Sequence, residues 1–128
     1  MPQVTDEFDA IAHVIELYTE GTATGDVSKL QEAFHKDARM FGSSGGNRID
    51  VPIEEFFKRA QKRPAGTSYK ARLLSVNQVN DAAIAILAID GFWGSASFID
   101  FFSFSRMNGV WKIVNKTFAH TGGQMPSM

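Results

Sequence analysis

The chain has 128 residues, 44% of them apolar, and a formal net charge of -1, which predicts one domain over residues 1–128 with enough apolar side chains for a core. The near-neutral charge and the scattered lysines and arginines argue against nucleic acid or a membrane surface as the partner. The absence of cysteine excludes disulfides, thiolate metal sites and thiol nucleophiles. The sequence has no signal-peptide pattern and no apolar run of the ~20 residues that span a membrane, so we expect a cytoplasmic protein.

Apolar residues near the start of the chain recur at spacings of three and four, the pattern of a helix with one buried face. Thr5 or Asp6 is the candidate N-cap of this helix, and its predicted buried stripe is Phe8, Ile11, Ile15, Tyr18 and Thr22. Asp26 is placed to cap a short second helix that ends near Phe34. Two helices are therefore expected before the first strand.

A short strand is predicted over 38–42, and the composition of 43–47 predicts a loop after it. A third helix is expected to begin at 50–52, because Pro52 suits its first position. Its predicted buried stripe is Ile53, Phe56, Phe57 and Ala60.

The back half of the chain predicts four strands, over 68–79, 82–92, 95–105 and 110–120. The pairs Asn80-Asp81 and Asn108-Gly109 are turn signals, so neighbouring strands should pair antiparallel. We expect 122–128 to fray. Helices followed by antiparallel strands predict an α+β domain, in which a strongly curved sheet packs on three N-terminal helices and leaves a pocket between the layers.

Asp100 lies in a run of large apolar residues, and on a strand Phe98, Asp100, Phe102 and Phe104 share one face. A carboxyl group among phenyl rings must be ionised and paired, or protonated and a hydrogen-bond donor. Burial raises the pKa of such a carboxyl, which favours the second state.

The chain holds eleven phenylalanines, besides two tryptophans and two tyrosines. Such an aromatic content predicts either a packed aromatic core or the lining of a hydrophobic cavity. Trp93, flanked by Gly91 and Gly94 at a predicted bend, is a candidate for the rim of that cavity or for ordinary packing.

On the last predicted strand, strict alternation places Asn115 on the same face as Trp111 and Ile113. Because these two residues are apolar, we take their face as the inner one and predict that Asn115 is a polar anchor in the cavity. Alternation then turns Lys116 outward, where it would pair with a carboxylate or lie at a dimer interface. His120 shares that outer face and is a weaker candidate for the site.

The chain resembles the nuclear transport factor 2-like superfamily, and within it the branch described as putative lumazine-binding, which includes many SnoaL-like bacterial proteins. The resemblance is carried, in the expected order, by residues 18–21, 25–26, 34–38, 52–57, 100–102 and 109–118. It implies a curved antiparallel sheet, three helices, a conical cavity and commonly a homodimer. Members include isomerases, polyketide cyclases, dehydratases and ligand-binding proteins, so the likeness is specific for fold more than for activity.

Ketosteroid isomerases of this superfamily use a helix tyrosine and a protonated strand aspartate as an oxyanion hole, and the motifs place Tyr18 and Asp100 at those positions. Gly42 stands where these isomerases carry their general base, so the resemblance stops short of that reaction. His35 is the remaining candidate base, or else a cap of the second helix. The Tyr18–Asp100 pair is therefore open to three interpretations: a catalytic pair, a buried structural hydrogen bond or a ligand contact.

The sequence thus predicts a protein that binds a small hydrophobic or aromatic molecule, with a carbonyl-polarising isomerase, cyclase or dehydratase as the alternative. The candidate catalytic residues are Tyr18, Asp100 and His35, and the candidate ligand contacts are Met40, Trp93, Phe98, Phe102, Trp111 and Asn115. We predict no cofactor and no metal, because the three histidines show no spacing that would bring ligands together. A homodimer is expected through the outer face of the sheet, with Val114, Phe118 and Ile99 as its apolar patch.

Overall fold

Three helices and six strands make up most of residues 4–124, which the computed structural model describes, with side chains from residue 7 onward. They are α1 (Val4–Thr24), α2 (Val27–Ala33), β1 (Phe34–Ser44), β2 (Asn47–Pro52), α3 (Ile53–Lys62), β3 (Lys70–Val79), β4 (Ala82–Phe92), β5 (Ala96–Met107) and β6 (Val110–Gly122). The predicted α+β class is confirmed. The side chains of Thr5 and Asp6, and residues 125–128 of the predicted tail, lie outside the described part of the chain.

The strands form one sheet in the order β2-β1-β6-β5-β4-β3. The predicted antiparallel pairing of the back half is confirmed from β3 to β6. The expectation of a wholly antiparallel sheet is wrong at one place, because β1 and β6 run parallel. Helix α1 contacts β3 and β6, and α3 contacts β1 and β2, so the helices reach both edge strands of the sheet and the strands β1 and β6.

Helix α1 buries the predicted stripe from Ile11 to Thr22, but its first member, Phe8, is 47% exposed. Glu7 takes the inward position in this turn of the helix. Its carboxylate oxygens accept hydrogen bonds of 2.7 Å from Nη1 of Arg106 and from Nε1 of Trp111. The apolar stripe therefore gives way to a polar contact at the start of α1.

The segment predicted as a loop followed by a helix start is a β-hairpin. Gly45 and Gly46 both have positive φ angles, the conformation of a two-residue hairpin turn. They join β1 to β2, so that the prediction of a loop over 43–47 and of a helix beginning at 50–52 is wrong. Helix α3 begins at Ile53 and buries the predicted stripe of this segment.

Strand β6 contains a bulge at Val114, and this bulge decides which side chains face the helices. Ile113 pairs with Phe104 and Asn115 pairs with Ser103, so Val114 has no partner on β5. One extra residue inverts the alternation beyond it. As a result Lys116 joins Ile113 among the buried residues.

Candidate functional site

Tyr18 and Asp100, 82 residues apart in the chain, meet in the interior. The Tyr18 hydroxyl donates a hydrogen bond of 2.9 Å to Oδ2 of Asp100, and the two residues are 0% and 2% exposed. Tyr18 reaches this point from the buried stripe of α1, and Asp100 from the inward face of β5. The structure therefore brings these two candidate site residues together.

Lys116 extends from β6 into the same region and is 4% exposed. Its Nζ lies 3.8 Å from the ring centroid of Phe56, 5.2 Å from that of Tyr18 and 5.5 Å from that of Phe118. Such contacts with ring faces stabilise an ammonium group. The prediction that Lys116 faces outward is wrong, because the bulge at Val114 reverses its direction.

The buried charges shift one another's protonation. Burial raises the pKa of Asp100, while the positive charge of Lys116 and the hydrogen bond from Tyr18 oppose this rise. Burial lowers the pKa of Lys116, with Asp100 opposing the fall and Arg59 adding to it. The pKa of the Tyr18 hydroxyl is raised well above its usual value, first by burial and then by Asp100. Each group is thus pushed towards its neutral form.

These side chains border a cavity of about 70 Å³, which gives room for about two water molecules at ~30 Å³ each. Its lining comprises Tyr18, Thr22, Met40, Ser44, Ile49, Phe56, Arg59, Ala60, Arg63, Ile89, Phe92, Trp93, Phe98, Asp100, Lys116 and Phe118. Most of these are apolar. We call Tyr18, Thr22, Asp100 and Lys116 the polar corner of the cavity.

Thr22 follows Tyr18 by one helical turn and is 1% exposed. Its Oγ1 is buried and has no hydrogen-bond partner within 3.5 Å among the described residues, although it lies close enough to the Tyr18 hydroxyl to oppose the rise of that group's pKa. A buried hydroxyl without a partner costs free energy, so such groups mark places where water or a ligand is bound.

Arginine side chains occupy the more exposed part of the lining. The Arg63 guanidinium stacks on the Trp93 ring, 4.8 Å from its centroid, and the Trp93 indole N–H donates to the Arg63 carbonyl at 2.9 Å. With Arg59 and Lys116, the cavity has three basic side chains against the single carboxyl of Asp100.

Of the predicted ligand contacts, Met40, Trp93 and Phe98 line the cavity. Phe102 lies behind it, with its ring centroid 4.9 Å from that of Tyr18. Trp111 is buried elsewhere, where its indole donates to Glu7. The structure therefore brings half of the predicted contacts to the cavity.

Asn115 and His35 lie away from this lining. The prediction that Asn115 points into the cavity is wrong for the same reason as that for Lys116, and its Oδ1 accepts a hydrogen bond from Thr117 instead. His35 lies at the start of β1, where its Nδ1 accepts from the backbone N–H of Asp37 at 3.0 Å. The His120 ring packs against that of Phe98 at a tilt of 34°, with the centroids 5.2 Å apart, outside the lining.

The surroundings of Gly42 leave no room for a side chain that could act as a general base. A Cβ atom there would lie 2.6 Å from the Phe118 ring, closer than atoms approach without a clash. Phe118 itself faces the cavity, so its predicted place in an outer apolar patch is wrong.

In residues 4–124 no helix is long and apolar enough to cross a membrane. The same part of the chain holds no cluster of three or more histidine and carboxylate side chains that could bind a metal ion.

The model of the family described as putative lumazine-binding matches residues 6–119. A protein named Aldolase FrzH, from Cladobotryum sp, is 25% identical over 114 residues, 89% of this chain and 91% of that protein. A nuclear transport factor 2-like protein of unknown function from Shewanella baltica OS155 superposes with a TM-score of 0.88 at 26% identity, covering 96% of this chain and 100% of its own. A ketosteroid isomerase-like protein from Erwinia carotovora atroseptica SCRI1043 gives a TM-score of 0.74 at 16% identity, covering 91% and 98%, a likeness of fold.

Proposed function

The chain belongs to the putative lumazine-binding family of the nuclear transport factor 2-like superfamily, and we propose that its cavity binds a small hydrophobic or aromatic molecule. The observation that carries this proposal is an apolar cavity with polar groups at one corner, including a Thr22 hydroxyl without a partner among the described residues. Small-molecule sites have this composition. A volume of about 70 Å³ is about half of the ~150 Å³ that holds a benzene ring, so it favours a very small ligand or one ring that enters the cavity only in part.

Phenol is a suitable probe, because its ring suits the apolar wall and its hydroxyl suits the polar corner. We expect it to shift the NMR resonances of residues that line the cavity. Met40→Trp fills the cavity and should abolish these shifts, whereas Met107→Trp makes the same change at an exposed position of β5 and should leave them. Equal binding by the two variants would contradict the proposal, and native mass spectrometry of freshly purified protein tests for a retained ligand.

A second candidate function is enzymatic, with Tyr18 and Asp100 polarising a carbonyl oxygen. The hydrogen-bonded pair that borders the cavity favours it, as does the name of the aldolase relative. In this arrangement the Tyr18 proton is directed to Oδ2, so a protonated Asp100 would donate to the substrate from its other oxygen. Neither His35 nor Gly42 provides a base at the cavity.

Exchange of the α-hydrogens of cyclohexanone for deuterium, followed by NMR, tests this second function. We expect Asp100→Asn and Tyr18→Phe to slow the exchange that the protein promotes. The Tyr69→Phe protein is the control, since that tyrosine is not in the lining. Exchange no faster than with the buffer alone would refute an enzyme of this type for this ketone.

We also propose that the outer face of the sheet forms a homodimer. Ile84 and Phe101 are 50% and 45% exposed there, and Ile86 lies directly opposite Phe101 on the neighbouring strand. Adjoining apolar side chains on a sheet face are typical of an interface. Sedimentation velocity at micromolar concentration should show a dimer that Phe101→Lys dissociates and that Val110→Lys, at another exposed apolar position, does not.

A further inference from the structure

We propose that Lys116 is a nucleophile of the cavity, whose amine captures a small apolar aldehyde or ketone as an imine. This inference rests on the proposed function, since it requires the cavity to admit a small ligand. It gives that ligand a chemical class, a compound with an unhindered carbonyl group.

The geometry around the amine suits this chemistry. Lys116 borders the cavity, and its Nζ lies against the Phe56 ring at 3.8 Å. Among the described residues, no carboxylate oxygen forms an ion pair with it within the 4.0 Å that defines one, and it donates no hydrogen bond to the protein. An amine held in a pocket without a bound carboxylate is free to meet a ligand.

The charges that face Lys116 favour a reactive amine. Burial lowers its pKa first, and Arg59 of α3 lowers it further, while Asp100 of β5 opposes both. Tyr18 of α1 faces the same space and stays protonated, because its own pKa is raised by burial. A lysine that is desolvated and lies near a second cation is the usual arrangement of an imine-forming residue.

The reaction balances without an oxidant or a reductant. The Lys116 nitrogen lone pair forms a bond to the carbonyl carbon, and the π electrons of the C=O bond move to oxygen, which takes a proton from Asp100. The nitrogen then returns a proton to the Asp100 carboxylate. The Asp100 carboxyl then gives its proton to the new hydroxyl, which leaves as water while the nitrogen lone pair forms the C=N bond. The nitrogen finally returns its remaining proton to the Asp100 carboxylate. The products are one imine and one water molecule.

Trapping with benzaldehyde and sodium cyanoborohydride tests the proposal. The hydride reduces the imine to a stable secondary amine, and peptide mass spectrometry locates it. At pH 7 we expect Lys116 to be modified at least tenfold faster than Lys58, an exposed lysine of α3. Phenol should compete with the modification of Lys116 and leave that of Lys58 unchanged.

Variants of Lys116 and Lys58 distinguish a reaction in the cavity from general modification of exposed lysines. Lys116→Met should abolish the fast modification, and Lys58→Met should leave it. If Lys116→Met does not fold, Lys116→Arg keeps the charge and should also abolish it. Binding of phenol without fast modification of Lys116 would overturn this inference and leave the proposed function standing, whereas absence of phenol binding would overturn the proposed function and this inference with it.

Discussion

The hydrogen bond between Tyr18 and Asp100 makes a measurable prediction about stability. Tyr18→Phe removes the hydroxyl that donates to Asp100 and keeps a ring of the same shape. The ring contacts with Phe34, Phe56 and Phe102, at centroid distances of 5.9, 5.8 and 4.9 Å, should therefore persist. What is lost is one hydrogen bond, which leaves a buried carboxyl without this donor, so the free energy of unfolding should fall by about 1–3 kcal/mol.

Tyr69→Phe is the matched control for this change. The Tyr69 hydroxyl is also buried, but it has no hydrogen-bond partner among the described residues. Its removal eliminates an unsatisfied polar atom, so the free energy of unfolding should stay constant or rise. The two variants thus delete the same atom from the same residue type and differ in whether a hydrogen bond is lost.

Urea unfolding at pH 7 measures both variants. A loss of about 2 kcal/mol at a slope of about 2 kcal/mol/M lowers the midpoint by ~1 M. The hydrogen bond from Tyr18 lowers the pKa of Asp100, so it stabilises the ionised carboxyl more than the protonated one. The fall in the free energy of unfolding caused by Tyr18→Phe should therefore be smaller at a pH where Asp100 is protonated. Equal midpoints for Tyr18→Phe and Tyr69→Phe would refute the reasoning.

Three further changes test the site. Gly42→Ala places a Cβ 2.6 Å from the Phe118 ring and should cost about 1–3 kcal/mol by urea unfolding, whereas Gly122→Ala meets no atom nearer than 3.9 Å and should cost little. The pKa of Asp100 is raised by burial from 3.8, so its contribution to stability is present below that value and is lost as the pH rises through the folded-state pKa. Asp100→Asn should remove this loss from a pH series of unfolding curves. Lys116→Met removes a charge that lowers the pKa of Asp100, and carboxyl ¹³C NMR should show that pKa rise further; a fall would contradict this account.

Regular repeats made much of the architecture predictable from sequence. The spacing of Ile11, Ile15 and Tyr18 places one helix face in the interior, and the alternation from Phe98 to Phe104 buries every second side chain of β5. Two positive-φ asparagines, Asn80 and Asn108, form the turns that their sequence indicates. Because these features depend on local periodicity and turn chemistry, the inward direction of Tyr18 and Asp100 followed from them. That the two residues form one site was implied instead by the resemblance to ketosteroid isomerases.

The wrong predictions concern places where one or two residues depart from the regular spacing of apolar side chains. Glu7 takes the inward position where an apolar residue was expected, because Arg106 and Trp111 satisfy its carboxylate. Gly45 and Gly46 close a hairpin whose second strand is short and largely exposed, so its alternation was too weak to indicate a strand. Both hydrogen-bond partners of Glu7 lie about 100 residues away in the sequence, so no local pattern could indicate that this side chain faces inward.

The bulge at Val114 is the most consequential of these interruptions, and it can be tested directly. Deleting Val114 restores strict alternation between Ile113 and Lys116, so both side chains, and Phe118 after them, should still face inward. Deleting Lys112 instead removes a residue that is regularly paired with β5. The inward and outward side chains on one side of the deletion then exchange places, which should prevent folding. In the Val114 deletion, the charge of Lys116 should still lower the pKa of Asp100, so carboxyl ¹³C NMR should give the same pKa as in the unchanged chain. A folded Val114 deletion in which the pKa of Asp100 rises as it does in Lys116→Met would show that the bulge does not set the direction of this side chain, and the account of how the lysine reaches the cavity would then be wrong.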